Sequence, residues 1–354
     1  MVELTLGVNL AAQCLTSLVI GSLGDRYGRR PIILLGLYVF IIGSVCCVFA
    51  NAFWVLIFGR LLQGIGISAP IVLSYLVIAD AYSVEKQQQL MGILNGVMTL
   101  SMAVAPVIGS YVNLYFGWRG NFSVLLLLSL VCLCLGKILL PRGVPQPEVS
   151  LSLKGYRSVV QSKKAIYSIL TICFSLQAYW IFIGISPILY MESLGVSLKE
   201  FGFYQGALAA TLSIGSFASG IFLRRFGQRK CFFTSTLLMA AFTLSLPILV
   251  LYDVKNPLII TASMMLLSAG MVLPINILWP LMLESVVNAK GRLAAVQTAS
   301  RLIITALSIQ IASYFYDGTL RSLVITMGIF MVFTFFIGYK LFKVDAIFRN
   351  QEKY

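Results

Sequence analysis

Histidine is absent from this 354-residue chain, and only 12 residues are Asp or Glu. The first absence excludes histidine metal ligation and imidazole acid–base chemistry, so any proton handling falls to carboxylates. Charge of either sign is scarce: 11% of residues are charged and 59% are hydrophobic, whereas soluble domains carry about 25% charged residues. With a mean hydropathy of +0.93, the chain cannot solvate itself as a globule, and lipid must be its main solvent. No G-x-x-x-x-G-K-[ST] phosphate loop occurs, so ATP is not expected as the direct energy source. Nor is there a nucleophile–base set, so no enzyme activity is expected. The chain does not open with a basic segment, a short apolar run and a cleavage site, so no secretory signal is expected.

The seven cysteines (Cys14, Cys46, Cys47, Cys132, Cys134, Cys173 and Cys231) all lie in or at the edge of apolar runs. Cys46/Cys47 and Cys132/Cys134 are too close together for a zinc framework. They read as small buried apolar side chains, and no metal or cofactor is expected. The net charge of +14 sits in short clusters between apolar runs. That pattern is topology information and not the footprint of a nucleic-acid partner.

About 20 apolar residues are needed for a helix to cross a bilayer. That rule predicts eleven spans, near 4–22, 31–50, 53–78, 89–113, 121–140, 165–190, 201–223, 231–251, 257–283, 293–316 and 320–342. The intervening 141–164 segment, with Pro141, Pro145, Pro147, Lys154, Arg157, Lys163 and Lys164, reads as a polar linker. The predicted architecture is all-α: an N-terminal bundle over 1–140, the linker over 141–164, and a C-terminal bundle over 165–354 with a short tail. Of the 26 Lys and Arg, Arg60 and Arg301 fall inside spans, and Arg119, Lys199, Lys255 and Arg321 fall on one side; the other twenty fall on the opposite side. The positive-inside rule makes that side cytoplasmic, together with the linker and the C-terminal tail.

A basic, glycine-broken stretch at residues 21–31, GSLGDRYGRRP, is echoed at 220–230, GIFLRRFGQRK. Weak internal symmetry of this kind marks transporters built from repeats. Two spans precede the second copy and one precedes the first, so symmetry predicts a further helix upstream of residue 1.

Residues 21–30 match the pattern G-x-L-x-D-R-x-G-R-R and resemble the loop between the second and third helices of major facilitator superfamily transporters. Gly59-Arg60, Gln63, Gly64 and Gly66 resemble that superfamily's arginine motif, with Asp80 at the acidic end of the same helix. Ala105, Pro106 and Gly109 resemble its antiporter motif, although Ser110 replaces the closing glycine. Gly117, Trp118, Arg119 and Phe122 resemble the next extracellular turn. Ser186-Pro187, Gly195 and Phe201-Gly202 resemble bicyclomycin-resistance-type exporters of the drug:proton antiporter branch. The resemblance implies a two-bundle fold of about eleven transmembrane helices that lacks the first canonical one. It also implies proton-coupled efflux of hydrophobic drugs by alternating access, in a bacterial inner membrane. The expected partners are a small-molecule substrate, protons and lipid, and a monomer is expected. A metabolite carrier of the same fold and a truncated, non-transporting membrane protein remain open.

Candidate residues follow. Asp25, Arg26, Gly28, Arg29 and Arg30 are expected to form a conformational latch, since glycine accepts the sharp turn and a carboxylate at a helix N-terminus pairs with arginine; a bare topology anchor is the alternative. Arg60 and Arg301 lie inside spans, where such residues usually face a cavity or a partner; snorkelling is the alternative for Arg60, interhelical packing for Arg301. With Asp80 and Glu284 they are the energy-coupling candidates, although the two acids read first as interfacial partners of nearby lysine and arginine. Gln297, Arg301, Thr305 and Ser308 form a polar stripe at helical spacing. Pro106 and Gly109 suggest a hinge or a close helix approach. Cavity candidates are Asn9, Gln13, Gln63, Asn95, Gln177, Tyr179, Trp180, Gln205, Asn276 and Trp279. Aromatic faces among them suit lipophilic cations, and packing is the alternative for each.

Overall fold

A computed structural model describes residues 2–142, 145, 153–287 and 289–344. Among them there is no strand. The chain runs α1 (Val2–Tyr27), α2 (Arg29–Val48), α3 (Phe53–Ala81), α4 (Val84–Leu139), α5 (Arg157–Gln161), α6 (Lys163–Ser175), α7 (Gln177–Pro187), α8 (Leu198–Leu251), α9 (Pro257–Leu283), α10 (Lys290–Phe315) and α11 (Leu320–Val344). Among the described residues, nine stretches are long and apolar enough to cross a membrane. Two of these, α4 with 56 residues and α8 with 54, would each be about 80 Å long at 1.5 Å per residue, more than twice the hydrocarbon thickness. Each is broken at one glycine, Gly117 (φ 65°, ψ −173°) and Gly227 (φ 77°, ψ 161°). Nine stretches with two of them divided give the eleven crossings expected from hydropathy.

The stretch 21–31, read from sequence as a loop between spans, is mostly helical. Helix α1 continues through Asp25 and Arg26 to Tyr27, and α2 starts at Arg29. Only Gly28 breaks the helix, at φ 93° and ψ 150°, a conformation that costs glycine nothing. Polarity ends the apolar run but does not end the helix.

The residues group into two compact units. The first combines Met1–Tyr82, Ala105–Gln161 and Val286–Leu302; the second combines Ser83–Val104, Ser162–Ser285 and Ile303–Tyr354. This grouping differs from a division at the 141–164 linker in two segments, 83–104 and 286–302. Connectivity ties each to one half of the sequence, and side-chain packing ties it to the other half. Linker residues 143–144 and 146–152 and tail residues 345–354 lie outside the described residues.

In the first unit, α2 and α3 meet through small residues. A methyl added at Gly36 would lie 2.6 Å from both the Gly66 carbonyl oxygen and the Ala69 Cβ, so only glycine lets these backbones approach. In the second unit, buried Tyr190 anchors the core. Its ring packs on Phe182, Phe201 and Tyr204, and its hydroxyl is 2.8 Å from the Thr261 hydroxyl. Pro187 lacks an amide donor, and the turn after it, Ile188–Ser193, widens into a π-helix.

The connection into α11 is tied by Asp317, whose carboxylate accepts from the Thr319 amide (3.0 Å), the Thr319 hydroxyl (2.6 Å) and the Ser322 hydroxyl (2.7 Å). These donors, the Thr319 hydroxyl first, hold its pKa down at about 2, below the ordinary 3.8. A depressed folded-state pKa means the turn's contribution is complete above the unfolded value and is lost as pH falls through about 2. Carboxyl-carbon NMR on aspartate-labelled protein should show this group titrating with a midpoint near 2; a midpoint near 3.8 would contradict the bonding.

Candidate functional site

In the first unit the last turn of α1 brings Asp25 into the protein, where the residue is 6% exposed. Arg29, four residues on and across the Gly28 break, places Nη1 2.5 Å from Asp25 Oδ1 and Nε 3.0 Å from Asp80 Oδ2 at the end of α3. Arg29 is itself buried, whereas the Asp80 side chain is 44% exposed. One arginine is thus shared between an inner and an outer carboxylate, as its planar fork allows. The second oxygen of Asp25 accepts no hydrogen bond from the described residues. It faces the first turn of α10: a Cβ added at Gly291 would lie 2.7 Å from Asp25 Cγ and would overlap the carboxylate oxygen and the Gly21 carbonyl. Amides at a helix start carry partial positive charge, and Arg292 adds electrostatic attraction to Asp25. Lys290 donates to the Ala79 carbonyl across the same junction, at 3.4 Å.

Not every basic residue of the stretch joins this cluster. Arg26 lies over the Tyr27 ring, and Arg30 donates to the Lys137 carbonyl at the end of α4. Asp80, expected among the coupling candidates, is brought to Arg29. The packing of Gly291 and Tyr156 was not foreseen from the sequence. The Tyr156 hydroxyl donates to the Leu18 carbonyl, and Gly155 leaves room for the Arg292 guanidinium.

Nearer the other end of α1, Arg60 joins three helices. Its Nη1 donates to Gln63 Oε1 (2.9 Å) and its Nε to the Thr5 carbonyl (3.4 Å), while Asn9 Nδ2 donates to the Arg60 carbonyl (2.9 Å). Gln63, fully buried, passes the chain on from Nε2 to the Ser44 hydroxyl of α2 at 2.9 Å. The guanidinium lies 5.9 Å from the centre of the Phe122 ring. Gln63→Leu removes the middle of this chain and leaves a charged donor without its best acceptor. Hydrogen bonds to charged groups contribute about 1.5–3 kcal/mol, so this variant should lower thermal stability in detergent by an amount near 2 kcal/mol, and Gln63→Glu should restore most of it. Equal melting temperatures for parent and Gln63→Leu would contradict the assignment.

In the second unit several cavity candidates bond to one another. Asn95 of α4 donates to Asn276 Oδ1 of α9 (2.7 Å), and Asn276 donates to the Ser219 hydroxyl of α8 (3.1 Å). Gln177 accepts from the Ser308 hydroxyl (2.7 Å) and donates to the Cys173 carbonyl (2.6 Å). Gln205 donates to the Ser186 hydroxyl (2.7 Å). Tyr179 and Trp180 meet edge to face at 5.7 Å. Trp279 and, in the first unit, Gln13 are buried. In the polar stripe, Gln297 and Ser308 are buried, Arg301 and Thr305 are half-buried, and Arg301 acts electrostatically on Tyr75. Glu284 caps the C-terminal end of α9 and is exposed.

At Pro106 and Gly109 the helix α4 runs on unbroken; its break falls at Gly117. A Cβ at Gly109 would meet only Asn121 Oδ1, at 3.5 Å, so no helix backbone approaches closely there. Among the described residues no three His, Cys, Asp or Glu side chains are grouped to hold a metal ion.

A family model described as Major Facilitator Superfamily matches residues 1–309. Among curated proteins, the chain is 26% identical over 247 residues to a multidrug resistance protein MdtL of Escherichia fergusonii, covering 70% of this chain and 63% of that protein. It is 25% identical over 246 residues to its Klebsiella pneumoniae counterpart, covering 69% and 63%. The chain therefore spans less than two thirds of the length of these relatives. Among solved structures, it resembles the human organic anion transporter MFSD10 (TM-score 0.74, 18% identity, 94% of this chain and 82% of that one). It also resembles the Escherichia coli fucose:proton symporter FucP (TM-score 0.76, 11% identity, 95% and 90%). At these identities the structural likeness shows the fold.

Proposed function

We infer that this chain, which belongs to the Major Facilitator Superfamily, is a secondary active transporter that exports hydrophobic drugs or related small molecules in exchange for protons. The single observation that carries a switching role is the inner carboxylate of Asp25, buried against the start of α10 while sharing Arg29 with Asp80. An acid buried with a cation at a helix start, closed over by glycine, has a defined alternative: Asp25 leaves and becomes hydrated. Two arrangements that differ in exposing a charge are what alternating access requires. The name multidrug resistance protein borne by the relatives supports a drug as the substrate, and the half-buried aromatic Trp180 beside Tyr179 supports a lipophilic one.

In this reading Asp25, Arg26, Gly28, Arg29 and Arg30 form the latch. Protonation of Asp80 removes one of Arg29's two partners, and Arg60, Glu284 and Arg301 are further coupling positions. With no histidine in the chain, carboxylates hold the transported proton. The two bundles divide at the 141–164 linker. The protein is a monomer in a bacterial inner membrane, with its basic rims and C-terminus in the cytoplasm.

Ethidium efflux from cells stripped of their own exporters tests the reading. Expression of the full chain should speed efflux, and an uncoupler that collapses the proton gradient should abolish the gain. Normal insertion without flux, or uptake of one defined metabolite in place of efflux, would overturn it.

A further inference from the structure

The two echoed basic turns differ in how their charge is satisfied. In the first, the most buried cation, Arg29, is paired with Asp25 and Asp80. In the second, Arg224 occupies the place of Asp25, and no Asp or Glu occurs from Phe201 to Tyr252. Arg224, Arg225, Arg229 and Lys230 are exposed, and Arg224 donates to the Gly220 carbonyl of its own helix, at 3.4 Å. Among the described residues none of the four makes an ion pair with a carboxylate.

Their setting is a membrane rim. The break at Gly227 divides α8 into two crossings, so the turn lies where the chain leaves and re-enters the hydrocarbon. Phe222 and Phe226 stack at 6.3 Å and are 43% and 48% exposed, and Phe233 beyond the turn is 71% exposed. The Cys231 thiol donates to the Phe222 carbonyl at 3.4 Å, tying the two sides of the turn together. Four cations without acids, set between aromatic rings that prefer the acyl boundary, match a phosphodiester headgroup whose tails lie alongside. We propose that the turn 224–230 is a binding surface for anionic phospholipid headgroups of the adjoining leaflet. In the first turn Asp25 and Asp80 offset part of the charge and Arg26 and Arg30 are half-buried, so it presents less free charge.

The test uses the full chain in nanodiscs of phosphatidylcholine containing a minority of phosphatidylglycerol. Spin-labelled lipids report the association of each headgroup relative to phosphatidylcholine. The parent should prefer phosphatidylglycerol, and R225Q/R229Q should lower that preference by about fivefold or more, since one cation near an anionic surface contributes about that factor. K340Q/K343Q removes the same charge from the end of α11, where two described cations are gathered instead of four, and should lower the preference by less. Inorganic phosphate at millimolar concentration should not compete, which separates a lipid from a free anion. No preference in the parent, an equal loss in both double variants, or full competition by phosphate would each overturn the proposal. Ethidium efflux is not the readout, so failure here leaves the transport reading standing.

Discussion

Asp25→Asn is expected to slow drug transport by more than tenfold while the protein inserts at normal levels. Asp25 is 6% exposed and bonded to a buried arginine. Removing one member of a buried ion pair costs about 3–5 kcal/mol, because the other charge stays behind without compensation. Here Asp80 keeps a hold on Arg29 from a half-exposed position, so a loss of about 2 kcal/mol is the better expectation, roughly a thirtyfold change in an equilibrium. That loss falls only on the arrangement in which Asp25 is buried. A cycle that visits this arrangement in every turnover slows, whereas folding does not depend on it alone. Alkylation of a cysteine introduced at Lys290, half-buried at the start of α10, reads the same equilibrium directly: faster labelling is expected in Asp25→Asn. Transport and labelling both equal to the parent would show that the residue only marks topology.

Gly291→Val is expected to have the larger effect, because sterics offer no partial substitute. Any Cβ at this position overlaps the Asp25 carboxylate and the Gly21 carbonyl. The reciprocal change is as crowded: a Cβ on Gly21 would lie 2.5 Å from the Gly291 carbonyl carbon and 3.1 Å from the Ala295 Cβ. Forcing extra atoms into well-packed sites costs about 1–3 kcal/mol even where side chains can shift, and here one obstacle, the Gly21 carbonyl, is backbone. Transport by Gly291→Val should therefore fall below detection, and Gly21→Val should match it. Gly7→Ala is the control, since nothing lies within 4 Å of a Cβ there; it should transport as the parent does. Wild-type rates in Gly291→Val would mean that α1 and the start of α10 never meet in the working cycle.

Hydropathy made the eleven crossings legible, because each apolar run must be about as long as the bilayer is thick. It could not place their ends. The run before Asp25 stops near residue 22, yet the helix continues to Tyr27, since the backbone needs only Gly28 to turn. Pro106 suggests a hinge by its chemistry, and α4 runs through it as helix; the break at Gly117, where a positive φ suits glycine, is the turn between two crossings. The expected latch residues stood out through their match to the pattern G-x-L-x-D-R-x-G-R-R, and the structure pairs two of them, Asp25 and Arg29. Asp80 and Gly291 were not assignable to them, since their proximity arises from helix packing across long sequence separations. The same holds for Asn95 and Asn276, 181 residues apart. Read singly as cavity linings, these two amides satisfy each other. Pattern reveals which residues are costly to place in lipid; only the packing shows which partner offsets the cost.

The most direct measurement uses the purified chain in liposomes that are acidic inside and hold a pH-sensitive dye. On adding ethidium outside, the drug should accumulate as internal protons are lost, in fixed proportion, and Asp25→Asn should slow both signals together by more than tenfold. Ethidium movement with no change in internal pH, or inserted protein that moves neither, would contradict proton-coupled export.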